Sequence, residues 1–137
     1  MTTCATTCFA MILIGREILD NGHFQRLVRV AADGGVNPLT RERVVDADSG
    51  KYALAVMATA GMYETSGDWL YDIGLPGKSG VSGGIITVAP GKGGLGTFSP
   101  PLDRAGNSVR GQRAALYLSD QLGLDLFVSR PATTANP

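Results

Sequence analysis

Apolar positions between residues 8 and 33 recur at helical spacing, but Asp20-Asn21-Gly22 interrupts them. Beyond that breaker Phe24, Leu27, Val28 and Ala31 fall at i, i+3, i+4 and i+7. The spacing predicts two helices or one broken helix. Gly34 and Gly35 sit at its C-cap, and Val36-Asn37-Pro38 turns the chain away. A polar connector over residues 39–46 leads to a helix capped by Asp48 or Ser49, which carries Leu54, Val56, Met57 and Ala60 up to Gly61. Past Ser66-Gly67 the period changes: Trp69, Tyr71 and Ile73 alternate with Leu70 and Asp72, as in a strand. Residues 84–89 read as a second strand and residues 95–99 as a third, closed by Pro90 and by Pro100-Pro101. The connections are short and rich in glycine, which predicts an antiparallel meander, because parallel neighbours need a crossover of about a dozen residues. A last helix opens at Asn107 or Ser108, lines up Gly111, Ala115, Leu118 and Leu122, and ends at Gly123. The expected fold class is α+β, with helices packed on an antiparallel sheet and residues 129–137 as a disordered tail.

Composition narrows the function classes. The 137 residues balance 12 Lys and Arg against 12 Asp and Glu, with the basic residues scattered among the acids. Nucleic-acid binding needs a clustered cationic surface, so a nucleic-acid partner is not expected. The longest apolar run, residues 8–14, is far short of the roughly 20 residues that span a bilayer, and no basic residue precedes it. Cys4 and Cys8 are the only cysteines, too few for a disulfide framework or a cysteine-built zinc site. The expectation is a cytoplasmic protein with no membrane partner, no metal and no cofactor. Glycine is the outlier: 11 of the 19 lie between Gly61 and Gly96, where the backbone must be permissive.

Several motifs fail on context. Gly77-Lys78-Ser79 resembles the end of a phosphate loop, but Asp72 stands where its first glycine belongs. Gly91-Lys92-Gly93-Gly94-Leu95-Gly96 fits G-x-G-x-x-G, yet a strand and two prolines follow instead of the helix whose N-terminus receives the pyrophosphate. A hairpin loop is the better reading. His23 is the single histidine and suits a helix surface, and two thiols without further ligands suit packing. Tyr63, after a helix and its terminal glycine, reads first as a packed aromatic. Lys78-Ser79-Gly80 is the exception. It falls between two predicted strands and fits the K-[ST]-G motif of serine β-lactamases and penicillin-binding proteins, in which a cation and a hydroxyl line a cleft. Its companion motifs are missing: the sequence contains no S-x-x-K, and Ser119-Asp120-Gln121 is not S-D-N.

Ten segments taken in order carry a broader resemblance: Gly34-Gly35-Val36-Asn37-Pro38, Glu42-Arg43-Val44, Gly61-Met62-Tyr63, Ser66-Gly67, Gly74-Leu75-Pro76, Lys78-Ser79-Gly80-Val81, Gly83-Gly84, Ser99-Pro100, Leu102-Asp103 and Gly106-Asn107-Ser108. Together, over residues 31–122, they closely resemble the C-terminal part of the serine-dependent glutaminase family. The resemblance divides the chain into a poorly matching helical segment, residues 1–30, a C-terminal portion of a glutaminase domain, residues 31–128, and the tail.

That resemblance implies a partial β-lactamase-like fold and hydrolysis of L-glutamine to L-glutamate and ammonia through a serine glutamyl ester. It assigns Tyr63 to the cleft as a substrate contact and proton relay. The backbone N–H of Val81 becomes an oxyanion-hole donor, and Lys78 and Ser79 lie on the strand that walls the cleft. The nucleophilic serine, its lysine and the upstream substrate tyrosine have no counterpart, since no Tyr precedes Tyr52. The expectation is therefore an inactive, truncated chain that associates as a homo-oligomer, or with a full-length subunit as a non-catalytic interaction module, through an uncovered sheet edge.

Overall fold

The computed structural model describes residues 30–128. The expected helices before residue 30, Cys4, Cys8, His23 and the expected tail lie outside the described residues. The described chain opens in a helical turn at residues 30–32, where the Gly35 N–H donates to the Val30 carbonyl at 2.8 Å and Gly34 and Gly35 both take positive φ. The predicted glycine cap is therefore present. Residues 36–43 fold back on themselves, with Val36 bridged to Arg43 and the Asn37 side chain accepting from the Leu39 N–H.

Helix α1, Ala47–Ala60, starts two or three residues ahead of the expected cap at Asp48 or Ser49: Asp46 is the N-cap, its carboxylate accepting from the Ser49 N–H at 2.8 Å. Asp48 and Ser49 are also capping residues by type, which is why composition alone placed the cap late. After the single turn Tyr63–Thr65 comes helix α2, Ser66–Ile73. A strand was expected here, and the structure corrects that. Ser66, Trp69 and Ile73 are buried at i, i+3 and i+7, while Tyr71 is exposed to solvent. The exposed aromatic at residue 71 mimicked an alternation whose true period is 3.6.

Strands β1, Gly77–Gly80, β2, Gly84–Ala89, and β3, Gly93–Phe98, form an antiparallel sheet in that order. Lys78-Ser79-Gly80 thus lies within a strand rather than between two. Its Gly-Lys-Ser-Gly sequence has none of the β-branched or aromatic residues that mark strands, so only pairing with β2 makes it one. β2 has the expected bounds, and β3 begins two residues early. The hairpin loop expected over residues 91–96 is shorter, Pro90-Gly91-Lys92, because residues 93–96 pair with β2 as part of β3; the Lys92 N–H donates to the Ala89 carbonyl and Gly91 takes φ 71°. Pro followed by Gly suits a type II turn. A strand, not a helix, follows Gly91, and the dinucleotide-binding reading falls with it. Helix α3, Val109–Leu122, is capped by Ser108 and closed by Gly123 in the left-handed conformation, as predicted.

The sheet separates two apolar layers. Thr87 and Leu95 share a register row with Gly77, and Ile85 and Thr97 share one with Ser79. This face packs with Trp69, Ile73, Leu75 and Ala115 of the α2 and α3 layer. The opposite face offers Ile86 and Val88 to Ala32, Leu54 and Met57 of the α1 layer. The fold is α+β, helices on an antiparallel sheet.

One close approach ties α1 to the sheet. The Ser79 N–H, on the outer edge of β1, donates to the Gly61 carbonyl at 2.9 Å. A Cβ at Gly61 would overlap the Gly77 carbonyl, and one at Gly77 would lie 2.6 Å from the Trp69 indole. We therefore expect Gly61→Ala to destabilise the chain by about 2 kcal/mol or more, by overpacking. Gly67, exposed on α2 with nothing within 4 Å of an added Cβ, is the control. Gly67→Ala is expected to stabilise by about 0.5–1 kcal/mol. Urea unfolding of the two variants measures both.

Candidate active-site wall

Gly61 ends α1, and the chain then turns sharply through Met62 and Tyr63. Met62 is fully buried, whereas Tyr63 takes φ 53° and keeps 37% of its surface exposed. A left-handed conformation costs a tyrosine on the order of 1 kcal/mol, so the surroundings must hold it. They do so with hydrogen bonds. The Ser66 hydroxyl donates to the Tyr63 carbonyl at 2.7 Å and accepts from the Met62 N–H at 3.0 Å. The Thr65 hydroxyl and N–H both donate to the Met62 carbonyl, at 2.9 and 3.2 Å.

The result aims the Tyr63 ring at β1. Its hydroxyl donates to the Ser79 carbonyl at 3.4 Å, and the Lys78 ammonium lies 5.1 Å from the ring centroid. That separation is within cation–π range. The Lys78 ammonium also donates to the Ser79 carbonyl. A phenol and a cation thus converge on one backbone oxygen, where the single phenol O–H is taken up while the ammonium keeps two further N–H donors for an anion or a polarised carbonyl.

The structure brings together Tyr63, Lys78 and the carbonyl of Ser79, but not the Ser79 hydroxyl. Side chains alternate along β1, so Lys78 is exposed on one face while Ser79 is 3% exposed on the other, its hydroxyl without a hydrogen-bond partner. Val81 opens the turn after β1 and is 75% exposed. That turn is closed by the Gly83 N–H donating to the Gly80 carbonyl. Among the described residues no group of three or more His, Cys, Asp or Glu could hold a metal, and no helix is long and apolar enough to cross a membrane.

Two further residues support the wall, and the motif reading gave neither a role. Asn107 sits before α3 and donates through its side-chain amide to the Met62 carbonyl at 3.2 Å and to the Thr65 hydroxyl at 2.9 Å. Asp103 holds Asn107 in turn: its carboxylate accepts from the Asn107 N–H at 2.9 Å and from the Gln112 side chain at 2.7 Å. The only sequence signal for either was membership in the Leu102-Asp103 and Gly106-Asn107-Ser108 segments. Contacts 42 and 45 residues away in the chain are invisible to spacing.

Burial pushes the Asp103 carboxyl up, but hydrogen bonds from the Asn107 N–H, the Gln112 side chain and the Ala105 and Gly106 N–H groups outweigh it and hold the group below the usual carboxylate range. A depressed folded-state value means that this carboxylate contributes stability above the unfolded value of about 3.9, and the contribution is lost as pH falls through the folded value. The Asp103→Asn variant is therefore expected to lose less stability than the unmodified chain on acidification below about pH 4. Denaturant midpoints measured across that window check it.

Over most of its length the chain is similar to known proteins. Residues 20–127 match the family described as Glutaminase. The chain is 75% identical over 105 residues to Glutaminase 2 of Yersinia pestis, an alignment covering 77% of this chain and 31% of that protein. It is 57% identical over 96 residues to Glutaminase 1 of Escherichia coli K12, covering 70% and 31%. Among solved structures, the probable glutaminase ybaS superposes with a TM-score of 0.72 at 53% identity, over 77% of this chain and 34% of that one. The Bacillus subtilis glutaminase YbgJ, in covalent complex with 5-oxo-L-norleucine formed from 6-diazo-5-oxo-L-norleucine, superposes with a TM-score of 0.69 at 36% identity, over 72% and 36%. The chain spans about a third of the length of the curated relatives it matches. With a family match over most of its length and the same α+β, β-lactamase-like architecture, this chain belongs to the glutaminase family.

Proposed function

We propose that this chain forms one wall of a glutamine amidohydrolase cleft and that its 137 residues alone do not turn the substrate over. The observation that carries the reading is the convergence of the Tyr63 hydroxyl and the Lys78 ammonium on the Ser79 carbonyl, within the segments that resemble the family. In this reading a serine oxygen attacks the side-chain carbonyl carbon of L-glutamine, and the amide nitrogen takes a proton and leaves as ammonia. Water then cleaves the glutamyl ester and releases L-glutamate. Tyr63 contacts the substrate and relays a proton near the nucleophile, while Lys78 and the β1 backbone at Ser79 line the wall. The Val81 N–H stabilises the developing oxyanion. Covalent capture of 5-oxo-L-norleucine by the Bacillus subtilis relative supports a nucleophilic route.

The nucleophile is what this sequence lacks, since none of its serines opens an S-x-x-K. Removing the nucleophile of an acyl-transfer site abolishes nearly all of its rate. Ammonia release from L-glutamine by the purified chain is expected to stay at the buffer background. Turnover that disappears in Tyr63→Phe would overturn the inactivity.

A second reading, association through the sheet edge, is favoured by the asymmetry of the sheet. The β1 edge is covered by Gly61, whereas β3 pairs only with β2 among the described residues and carries no lysine or proline to discourage pairing. Light scattering after size exclusion is expected to show a dimer or larger species. A monodisperse monomer that captures no full-length glutaminase overturns this reading.

A further inference from the structure

We infer that Asn107 is a positioning residue for Tyr63, the clamp that holds the tyrosine's turn against β1; the inference rests on the reading of Tyr63 as a substrate contact. Asn107 is completely buried, yet its side-chain amide satisfies nothing in its own loop. Both of its hydrogen bonds reach across to the residues that bracket Tyr63, the Met62 carbonyl and the Thr65 hydroxyl. The Met62 carbonyl already receives the hydroxyl and the N–H of Thr65, which close the turn locally. Asn107 adds a long-range hydrogen-bond restraint on the backbone of that turn.

The clamp is itself anchored on two sides. Asp103 grips the Asn107 backbone, accepting from its N–H and donating its own N–H to its carbonyl. The next residue, Ser108, caps α3 and donates its hydroxyl to the Ser99 carbonyl just past β3. The preceding residue, Gly106, lies against the Tyr63 ring, where a Cβ would stand 3.7 Å from Cε2. The start of α3 is therefore linked through one amide to the left-handed turn that aims the phenol. A residue serving only as core filling would not direct both donors at a surface turn.

Asn107→Leu separates the roles. It keeps the branched outline with the same number of side-chain heavy atoms, the Met62 carbonyl retains both Thr65 donors, and the Asn107 side-chain oxygen has no partner to lose. In the chain labelled with 13C-tyrosine, Tyr52, Tyr71 and Tyr117 are exposed and serve as internal references. The Tyr63 ring signals, assigned with Tyr63→Phe, are expected to move in Asn107→Leu while the three references stay. Exchange of the Thr65 amide proton is expected to quicken about tenfold, the effect of losing a restraint of ordinary hydrogen-bond strength. A folded Asn107→Leu with the Tyr63 signals and Thr65 exchange unchanged overturns the inference. If that variant fails to fold, Asn107→Ala decides: it removes both donors without adding bulk and leaves Thr65 in place, so unmoved Tyr63 signals there overturn the inference as well. Titration with L-glutamate is the second arm, expected to perturb the Tyr63 ring in the unmodified chain and more weakly in Asn107→Leu. Should L-glutamate perturb the ring in neither, the proposed function fails, while the ligand-free Tyr63 signals still decide the positioning.

Discussion

The Ser79 N–H meets the Gly61 carbonyl at 2.9 Å, and the rest of the described structure is arranged around that contact. It joins the C-terminus of α1 to the outer edge of β1 at a backbone separation that no side chain on Gly61 or Gly77 would allow. The Trp69 indole fills the space beneath Gly77, donating its N–H to the Leu75 carbonyl at 2.8 Å, so the same contact sets the position of α2. Without it β1 would be a four-residue strand of poor intrinsic propensity with an open edge.

The Tyr63–Lys78 surface follows from where that contact leaves the chain. Immediately after Gly61 the backbone has to leave α1 without striking β1, and it does so by a fully buried Met62 and a left-handed Tyr63. The unfavourable conformation of Tyr63 and its exposure above Lys78 are two sides of one geometry. Strain of this kind persists only when neighbours over-determine it, and here Ser66, Thr65 and Asn107 supply the hydrogen bonds. Placing Tyr63 at a helix end and Lys78 on a paired strand rather than on a long loop makes this surface rigid.

Polar burial has the opposite character on the two faces of β1. Lys78, toward the α1 side, is exposed and holds its ammonium over the Tyr63 ring and on the Ser79 carbonyl. Ser79, toward α2 and α3, puts a hydroxyl among apolar side chains with no partner, and Thr87 and Thr97 on the same face do likewise. The same face carries the Trp69, Ile85 and Leu95 packing.

The sequence by itself determined the fold class, both long helices and the core of the sheet, because those signals are local. Ser108 and Gly123 mark the ends of α3, glycine ends the helical turn at residues 30–32, and Gly84–Ala89 is apolar enough to read as a strand unaided. Ordered motifs such as Gly61-Met62-Tyr63 and Lys78-Ser79-Gly80-Val81 also carried the family. Tertiary structure alone decided three things. It made residues 66–73 a helix, because burial of Ser66, Trp69 and Ile73 outweighed the apparent alternation created by an exposed Tyr71. It made Gly77–Gly80 a strand, because β2 and Gly61 supply hydrogen-bond partners that its side chains do not advertise. And it gave Asn107 a place beside Tyr63, because a hydrogen bond spanning more than forty residues depends on how α3 docks, which no local period encodes.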